Sequence, residues 1–286
     1  MLSVLHRTTY IYGGPVQLGP HRLLLRPREG RDVWLSSFSL EITPVATMHW
    51  GQDLWGNAAA TAEFSAPTDR LTIESRATLD LRGEAWPIFD IAVSAMSYPF
   101  SYTDADRIDL GALIQPQYED RGGRLADWAQ AFVAATPTDT LSLLKDMCAG
   151  ISKWVFYQSR DAEGTQSPME TLDRGWGSCR DYAILLAEAV RSLGFAARIV
   201  SGYLYDPDKE LRGFIDGGST HAWTEIYVPN AGWIVFDPTN NRVGGHNLIP
   251  VAVGRDIWQV SPVSGNYTSI NPTFSEMSVE IEIVPA

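Results

Sequence analysis

Alternating apolar and polar residues characterise the first 85 residues of the chain. Short runs such as "TTYIY", "WLSSFSLEITP" and "RLTIESRATLDL" alternate or are rich in β-branched residues, and Gly, Pro and Asn separate them. A period of two residues is typical of strands with one buried face. The pattern predicts an antiparallel, β-sandwich-like region over residues 1–85, and no cluster of candidate catalytic side chains occurs in it.

A helix is predicted after a less regular stretch. Residues 86–135 contain turn residues and few periodic apolar positions, which indicates a connector with short helices, one of them in "GRLADWAQAFV". The following segment, "TPTDTLSLLKDMCAGISKWVFYQ", spaces its apolar residues three or four apart, and Thr138 or Asp139 can cap its start. Cys148 lies on this apolar stripe, which predicts a buried structural thiol.

A second helix and a group of strands follow. The helix is predicted to begin at or just after Ser178, and Gly194 supplies a left-handed stop. Strands are predicted in "AARIVSGYLY", "HAWTEIYV" and "GWIVFDPT", with a polar loop before the second and the turn "PNAG" before the third. The pattern indicates an α+β core over residues 136–245. Residues 246–286 return to strand-like alternation and are predicted to complete a sheet.

Composition and charge narrow the class of protein. Of the 286 residues, 45% are apolar and 20% are charged, which is an ordinary globular mixture. The net charge is -12, and the chain has two cysteines. The negative charge argues against a general affinity for nucleic acid or an anionic membrane. No apolar run is long enough for a transmembrane helix, and the first residues do not resemble a signal peptide. Two unevenly placed cysteines make no disulfide framework, so a cytoplasmic location is expected.

Cys179 stands at a position that suits a nucleophile. It falls in the first turn of the second helix, where unpaired backbone N–H groups and the helix dipole favour a thiolate. Arg180 adds a positive charge, while Gly175 and Gly177 leave room in front of the sulfur. The alternative interpretation is that Cys179 is an ordinary small residue beside a helix cap and has no chemical role.

His221 is the predicted base, and Asp237 is the group predicted to orient it. His221 opens one strand and Asp237 ends the next, 16 residues later (237 − 221), with Pro229 at the midpoint. In an antiparallel hairpin, an even separation puts both side chains on one face, as direct or diagonal neighbours. A nucleophilic Cys needs such a base, and the base needs an orienting group.

At this point the chain resembles the transglutaminase-like superfamily, whose core has the papain-like fold. The resemblance lies in "SPMETLDRG", "GSCRDYAILLAEAVRSLGFAARIVSGYL" and "STHAWTEIYVPNAGWIVFDPTN", which occur in the family's order. The segment "YIYGGPVQLGPHRLLLRPR" is similar to the N-terminal β region of the bacterial members, and "VAVGRDIWQVSPVSGNY" to their C-terminal end. The resemblance implies that residues 136–245 form a papain-like catalytic core, with the cysteine-bearing helix packed on an antiparallel sheet.

The resemblance also implies roles for individual residues. Cys179 matches the nucleophile, His221 the base and Asp237 the orienting acid. Arg180 and Asp181 match a pair that braces the helix start. Trp176 and Trp223 are candidate substrate-binding residues, although core packing is the more ordinary role for Trp223. The sixth residue before Cys179, where papain-like enzymes often carry a Gln, is Asp173. The backbone N–H of Cys179 is therefore the expected oxyanion donor.

These residues favour a cysteine protease or amidase that works through a thioester acyl-enzyme. Acyl transfer to a primary amine uses the same three residues, and a non-catalytic binding module on the same fold is a third hypothesis. A zinc enzyme is disfavoured because no HExxH or CxxC spacing occurs, and the acids of "DPDKE" and "DGGST" lack EF-hand spacing. The expected partner is a peptide or protein amide, with no metal or other cofactor, and a homo-oligomer is compatible with the sequence.

Overall fold

The computed structural model describes residues 1–159, 164–206, 218–269 and 274–286. Most of the polar loop predicted before His221, with much of "DPDKE" and the start of "DGGST", lies outside these ranges. Helices and antiparallel sheets occupy separate parts of the chain, so the α+β fold class is confirmed. No helix in the described ranges combines the length and the apolar character that crossing a bilayer requires.

The N-terminal region is built from two antiparallel sheets that face each other. In one sheet the first strand pairs with the sixth, which pairs with the third, and in the other the fifth strand lies between the second and the fourth. Alternate side chains from both sheets meet in a common core that includes Val16, Leu23 and Ile73. These strands are β1 (Leu2–Leu18), β2 (His21–Leu23), β3 (Val33–Thr43), β4 (Thr47–Gln52), β5 (Ala58–Glu63) and β6 (Thr68–Leu81).

The connecting residues contain short elements that lie against the second half of the chain. Tyr102 donates from its hydroxyl to the carbonyl of Tyr227, and Tyr118 donates to the carboxylate of Asp256. The elements are β7 (Ser97–Tyr98), α1 (Asp104–Leu110), α2 (Arg124–Gln130) and β8 (Thr138–Asp139), with single 3-10 turns at Val93–Ala95 and Gly111–Leu113.

A central helix packed on a five-stranded sheet forms the core of the second half. Helix α5 (Cys179–Ser192) lies on the sheet, and the hydroxyl of Thr224 donates to the carbonyl of Ala183 at 2.8 Å. The strands of the sheet are β11 (Ala197–Tyr205), β12 (Gly218–Val228), β13 (Gly232–Asp237), β14 (Arg242–Val243) and β15 (Leu248–Gly254). Their order is β14-β13-β12-β11-β15, and all neighbouring pairs are antiparallel.

Other helices cover the side of α5 that faces away from the sheet. Asp139, one of the two predicted caps, accepts from the N–H of Ser142 at 2.7 Å and starts the first of these helices. Because both sides of α5 are covered, its residues from Asp181 to Arg191 are all buried. The surrounding elements are α3 (Thr140–Trp154), β9 (Phe156–Tyr157), α4 (Pro168–Arg174) and β10 (Trp176–Gly177).

The last strand returns to the N-terminal region. Strand β18 (Phe274–Pro285) pairs with β1 from one end to the other, so that Leu2 lies opposite Pro285. The shorter strands β16 (Val263–Ser264) and β17 (Tyr267–Thr268) pair with β2 and β1. A 3-10 turn at Ile257–Val260 precedes them.

The N-terminal sheet packs on the back of the sheet that carries His221. Ile283 and Leu79 from the first sheet share a buried cluster with Tyr203, Ile249 and Val251 from the second. Removing residues 1–85 is therefore expected to uncover this cluster and to leave β18 without its partner. Each large apolar side chain exposed costs roughly 2 kcal/mol, so the expected loss is several kcal/mol of unfolding free energy.

Denaturant unfolding of a chain beginning at residue 86, compared with the full chain, measures this loss. Such a truncated chain with unchanged stability and activity would contradict a structural role for the N-terminal region.

Candidate active site

A network of buried hydrogen bonds shapes the start of α5. The carboxylate of Asp181 accepts from the N–H and the hydroxyl of Ser178, each at 2.8 Å, and from the N–H of Gln166 at 2.7 Å. Asp181 is fully buried, so these donors replace the water that a carboxylate otherwise needs. Asp181 thus has the bracing role predicted for it. Gln166, which sequence reasoning missed, helps to hold Asp181.

Two glycines allow the chain to approach this helix closely. Gly175 ends α4 with a φ of 68°, a left-handed conformation in which glycine is favoured over other residues. At Gly177 a Cβ atom would lie 3.0 Å from the Cβ of Asp181, so a side chain there would be crowded against Asp181. The chain can therefore turn sharply into α5 and leave Cys179 partly exposed in its first turn.

His221 and Asp237 are brought together by the β12–β13 hairpin. Val228 pairs with Gly232 and Thr224 with Phe236, so the hairpin is centred on residue 230 rather than on 229. The separation remains even, and Asp237 is the diagonal neighbour of His221. The Nε2 atom of His221 donates to Oδ2 of Asp237 at 2.9 Å. Because a carboxylate only accepts, Nε2 carries the proton in this contact, and Nδ1 is left to exchange a proton with another group.

Asn240 completes the hydrogen bonding of Asp237. Its side-chain Nδ2 donates to Oδ2 at 2.7 Å, and Oδ1 accepts from the N–H groups of Thr239 and Asn240 at 3.0 and 3.3 Å. The carboxylate is 1% exposed and is therefore held in one orientation by neighbours on its own turn. The short motif "DPTN" contains an acid and an amide at the end of a strand, and this signal could have pointed to Asn240.

The electrostatics favour a charged His221. Burial alone lowers the pKa of the imidazole, but the hydrogen bonds to Asp237 and to the Cys179 side chain, with the negative charges of both groups, raise it to about 9. Burial raises the pKa of Asp237, while the hydrogen bond to His221 and those from Asn240 outweigh it, so the net shift is downward. His221 is thus hydrogen-bonded to Asp237 and also lies near Cys179, so the structure brings the three predicted residues together.

Tyr157 lies beside this group and was not predicted from the sequence. It pairs with Gly177 in the neighbouring strand, and its ring stands edge-on to that of Tyr182 at 6.1 Å. Burial raises the pKa of Tyr157, and the nearby negative charges of Cys179 and Asp237 add to this effect. Nothing in the local pattern distinguishes this tyrosine from its aromatic neighbours.

The two candidate substrate-binding tryptophans occupy different environments. Trp176 is half-buried in β10, with the guanidinium of Arg174 5.8 Å from its ring. Trp223 is only 1% exposed and stacks on His221 with ring centres 6.2 Å apart. A ring buried behind His221 packs against it and does not face a substrate, so this position does not support substrate binding by Trp223. Asp173, the residue at the position often held by a Gln, pairs with Arg124 on the surface.

No group of three or more His, Cys, Asp or Glu side chains suited to a metal ion occurs within the part of the chain that the structure describes.

Comparison with known proteins gives matches to both halves of the chain. Residues 126–238 match the model of the transglutaminase-like superfamily, and residues 2–80 match that of the bacterial transglutaminase-like N-terminal region. The chain belongs to the transglutaminase-like superfamily. The match to the core model includes Cys179, His221 and Asp237, and the match to the N-terminal model coincides with strands β1 to β6.

Relatives of this transglutaminase-like chain extend over its whole length. An uncharacterized protein of Mycobacterium leprae is 26% identical over 98% of this chain and 98% of its own. A candidate cysteine protease from Cytophaga hutchinsonii has a crystal structure with a TM-score of 0.72, at 20% identity, covering all of this chain and 91% of that one. That likeness confirms the predicted fold.

A local similarity also exists to an enzyme of assigned activity. A protein-glutamine gamma-glutamyltransferase of Pseudomonas aeruginosa is 33% identical over 24% of this chain and 10% of its own length.

The two thiols are expected to react at very different rates. Cys148 is 1% exposed within the core, and burial followed by the charge of Asp237 raises its pKa, so it has little reactive thiolate. Cys179 is partly exposed beside His221. We expect iodoacetamide to alkylate Cys179 in the folded protein at least about 100-fold faster than Cys148. Peptide mass spectrometry of a time course measures both rates, and equal labelling would remove the distinction between the two thiols.

Proposed function

We propose that the chain is a cysteine-dependent hydrolase of amide or peptide bonds, with Cys179 as nucleophile. The observation that carries this proposal is the position of His221, which is hydrogen-bonded to Asp237 at 2.9 Å and lies near enough to Cys179 for that side chain to raise the pKa of the imidazole. A thiol in the first turn of a helix, next to an oriented imidazole, is the arrangement that covalent acyl transfer requires.

The first half of the reaction forms a thioester. The proton of the Cys179 thiol resides on the charged His221, and the thiolate sulfur forms a bond to the carbonyl carbon of the substrate. The carbonyl oxygen becomes negative, and the backbone N–H of Cys179 is the proposed donor to it. The C–N bond then breaks as the imidazolium of His221 gives its proton to the departing amine, which leaves the acyl group on the sulfur.

The second half releases the acid. His221 takes a proton from water, the resulting hydroxide attacks the thioester, and the sulfur leaves as a thiolate that regains its proton through His221. Asp237 keeps the ring in one orientation and stabilises its positive charge in both halves. Asn240 and the N–H of Thr239 hold Asp237 in place.

Acyl transfer to a primary amine is the second candidate, and the local similarity to a protein-glutamine gamma-glutamyltransferase is the observation that favours it. The same thioester would be attacked by an amine in place of water. Whether water or an amine accepts the acyl group depends on water access to the thioester, not on the three residues themselves.

Mass spectrometry of a peptide library, with and without a primary amine, distinguishes these outcomes. Hydrolysis is expected in both samples and should disappear in the Cys179→Ala variant. Amine adducts that replace the hydrolysed products would assign transfer instead. A wild-type protein that changes no peptide in either sample, although its Cys179 is reactive, would argue for a non-catalytic module.

We also propose a reducing compartment, such as the cytoplasm, as the place of action. The support is that Cys148 and Cys179 are both free thiols, and that the proposed nucleophile must stay reduced.

The pH dependence of turnover is expected to reflect His221. The leaving amine needs the proton of His221, so kcat/KM should fall as the pH rises through about 9, the pKa of that group. In Asp237→Asn the negative partner is lost while burial remains, so the pKa of His221 falls and the alkaline limb should move to lower pH. A pH–rate profile of both proteins measures the shift. An alkaline limb at the same pH in Asp237→Asn would exclude His221 as its source.

A further inference from the structure

The indole ring of Trp223 lies against the imidazole of His221. The two residues are two apart on β12, so their side chains project from the same face of the sheet. Their ring centres are 6.2 Å apart and their planes are inclined by 29°, which is an offset stack. Trp223 is 1% exposed and His221 is 6% exposed, so the stack is almost entirely shielded from water.

The absence of a side chain at Gly202 makes room for this stack. Gly202 lies directly opposite His221 on the neighbouring strand β11. A Cβ atom at Gly202 would lie 2.9 Å from Cη2 of Trp223 and would also meet the carbonyl oxygen of Ile249. The indole therefore fills the space beside His221 that another residue's side chain would need. The apolar residues of the same buried cluster are Val200, Leu248 and Val253.

Trp223 contacts the site through its ring and not through its N–H group. The Nε1 atom is buried and has no hydrogen-bond partner among the residues that the structure describes. A buried donor without an acceptor costs free energy, so the N–H group does not explain a tryptophan at this position. The face of an aromatic ring carries partial negative charge and attracts cations, and indole does so more strongly than the other aromatic rings. A stack of this kind stabilises a protonated imidazole more than a neutral one.

Several other groups also act on the charge of His221. Burial lowers the pKa of the imidazole, while Asp237 of β13 and Cys179 of α5 raise it, to a net value of about 9. Further titratable groups on the surrounding elements are Arg180 of α5, Arg242 of β14, Cys148 of α3, Tyr157 of β9, and Glu225 of β12 with its partner Arg198 of β11. A test of Trp223 must therefore change the electrons of its ring and leave all of these groups in place.

We propose that Trp223 is a positioning residue for His221, whose indole ring holds the imidazole in one plane and stabilises its protonated form through the π electrons. The catalytic consequence rests on the proposed function, because the proton that the stack retains is the one given to the leaving amine. Trp223 touches neither substrate nor sulfur in this role and acts through His221 alone.

Replacement of tryptophan by 5-fluorotryptophan tests this role in the full chain. The fluorine withdraws electron density from the indole and adds only one small atom. NMR titration of protein with 13C-labelled histidine measures the pKa of His221, whose signal is identified by its absence in His221→Gln. We expect fluorination to lower this pKa by about 0.2 to 0.3 pH unit. His21 is the internal reference, because its ring contacts Phe64 and no tryptophan, and its pKa should not move.

Two variants show which tryptophan causes the shift, because the label enters all ten. The effect of fluorination on His221 should disappear in Trp223→Phe. It should persist in the matched control Trp233→Phe, which removes a half-buried tryptophan of β13 that has its own cation, Arg198, 4.3 Å from its ring. A shift that persists in Trp223→Phe would overturn the inference. If Trp223→Phe does not fold, the wild-type sequence still decides, because no shift at His221, or an equal shift at His21, would overturn it.

Turnover measurements separate this inference from the proposed function. The alkaline limb of kcat/KM should move with the pKa of His221 in the fluorinated protein, and a limb that stays fixed would overturn the role of Trp223 in the reaction. An unchanged pKa of His221 in a protein with normal turnover would overturn only the inference. A shifted pKa in a protein that turns over no amide substrate would support the stack and overturn the proposed function.

Discussion

Cys179→Ala is expected to abolish amide cleavage and amide transfer, with a fall in kcat of roughly 10⁵- to 10⁶-fold. The substitution removes the atom that carries the acyl group, and no other described thiol can replace it, because Cys148 is 1% exposed. The fold should survive. Cys179 is partly exposed, and the start of its helix is held by Ser178, Asp181 and Gln166 rather than by the thiol.

Turnover of a responsive amide substrate measures this prediction, with circular dichroism as the folding control. Cys148→Ala is the matched variant, since it removes the other thiol from the interior. It should retain turnover and lose about 1 kcal/mol of unfolding free energy. A folded Cys179→Ala protein with wild-type turnover would leave the proposed mechanism without a nucleophile.

His221→Ala should reduce turnover almost as much as Cys179→Ala, because one imidazole must both accept the thiol proton and protonate the leaving amine. Asp237→Ala should cost less, on the order of 10⁴-fold, since it removes only the orienting carboxylate. The three residues act as a unit, so adding His221→Ala to Cys179→Ala should lose little more. A double variant that is far less active than either single variant would contradict this.

Burial adds a stability cost to these variants that an open cleft would not impose. His221 is 6% exposed and Asp237 1%, so His221→Ala leaves a buried carboxylate without its main partner. Breaking such a pair typically costs about 3 to 5 kcal/mol. Activity should therefore be measured per folded molecule, with the near-isosteric Asp237→Asn as the milder comparison. Unchanged unfolding free energy in His221→Ala would show that the pair contributes little to the fold.

Local sequence patterns were sufficient to predict most of the helices and strands. The two-residue period predicts the N-terminal strands because one face of each is buried and the other is not. The apolar spacing before Gly194 predicts α5, and that glycine has a φ of 90° where the helix ends. The approach of His221 and Asp237 was also predictable, because the parity of a hairpin depends only on the spacing of two residues and the turn between them.

Long-range contacts decided the rest of the site. The hairpin is centred one residue later than its midpoint in sequence suggests, so Asp237 meets His221 diagonally. Tyr157 lies 22 residues before Cys179 (179 − 157) and reaches it only because β9 and β10 pair as parallel strands. No periodicity within either two-residue strand encodes that pairing.

The strands and helices, the thiol at a helix start and the family resemblance could all be predicted from the chain, because they depend on residues close together in it. The pairing of β18 with β1, the burial of Trp223 against His221 and the pairing of β9 with β10 became visible only in the folded structure. The physical reason is that strand pairing and burial depend on which distant surfaces meet. A contact between distant segments forms when the free energy gained by burying apolar area exceeds the entropic cost of closing the loop between them. Neither quantity can be obtained from one segment alone.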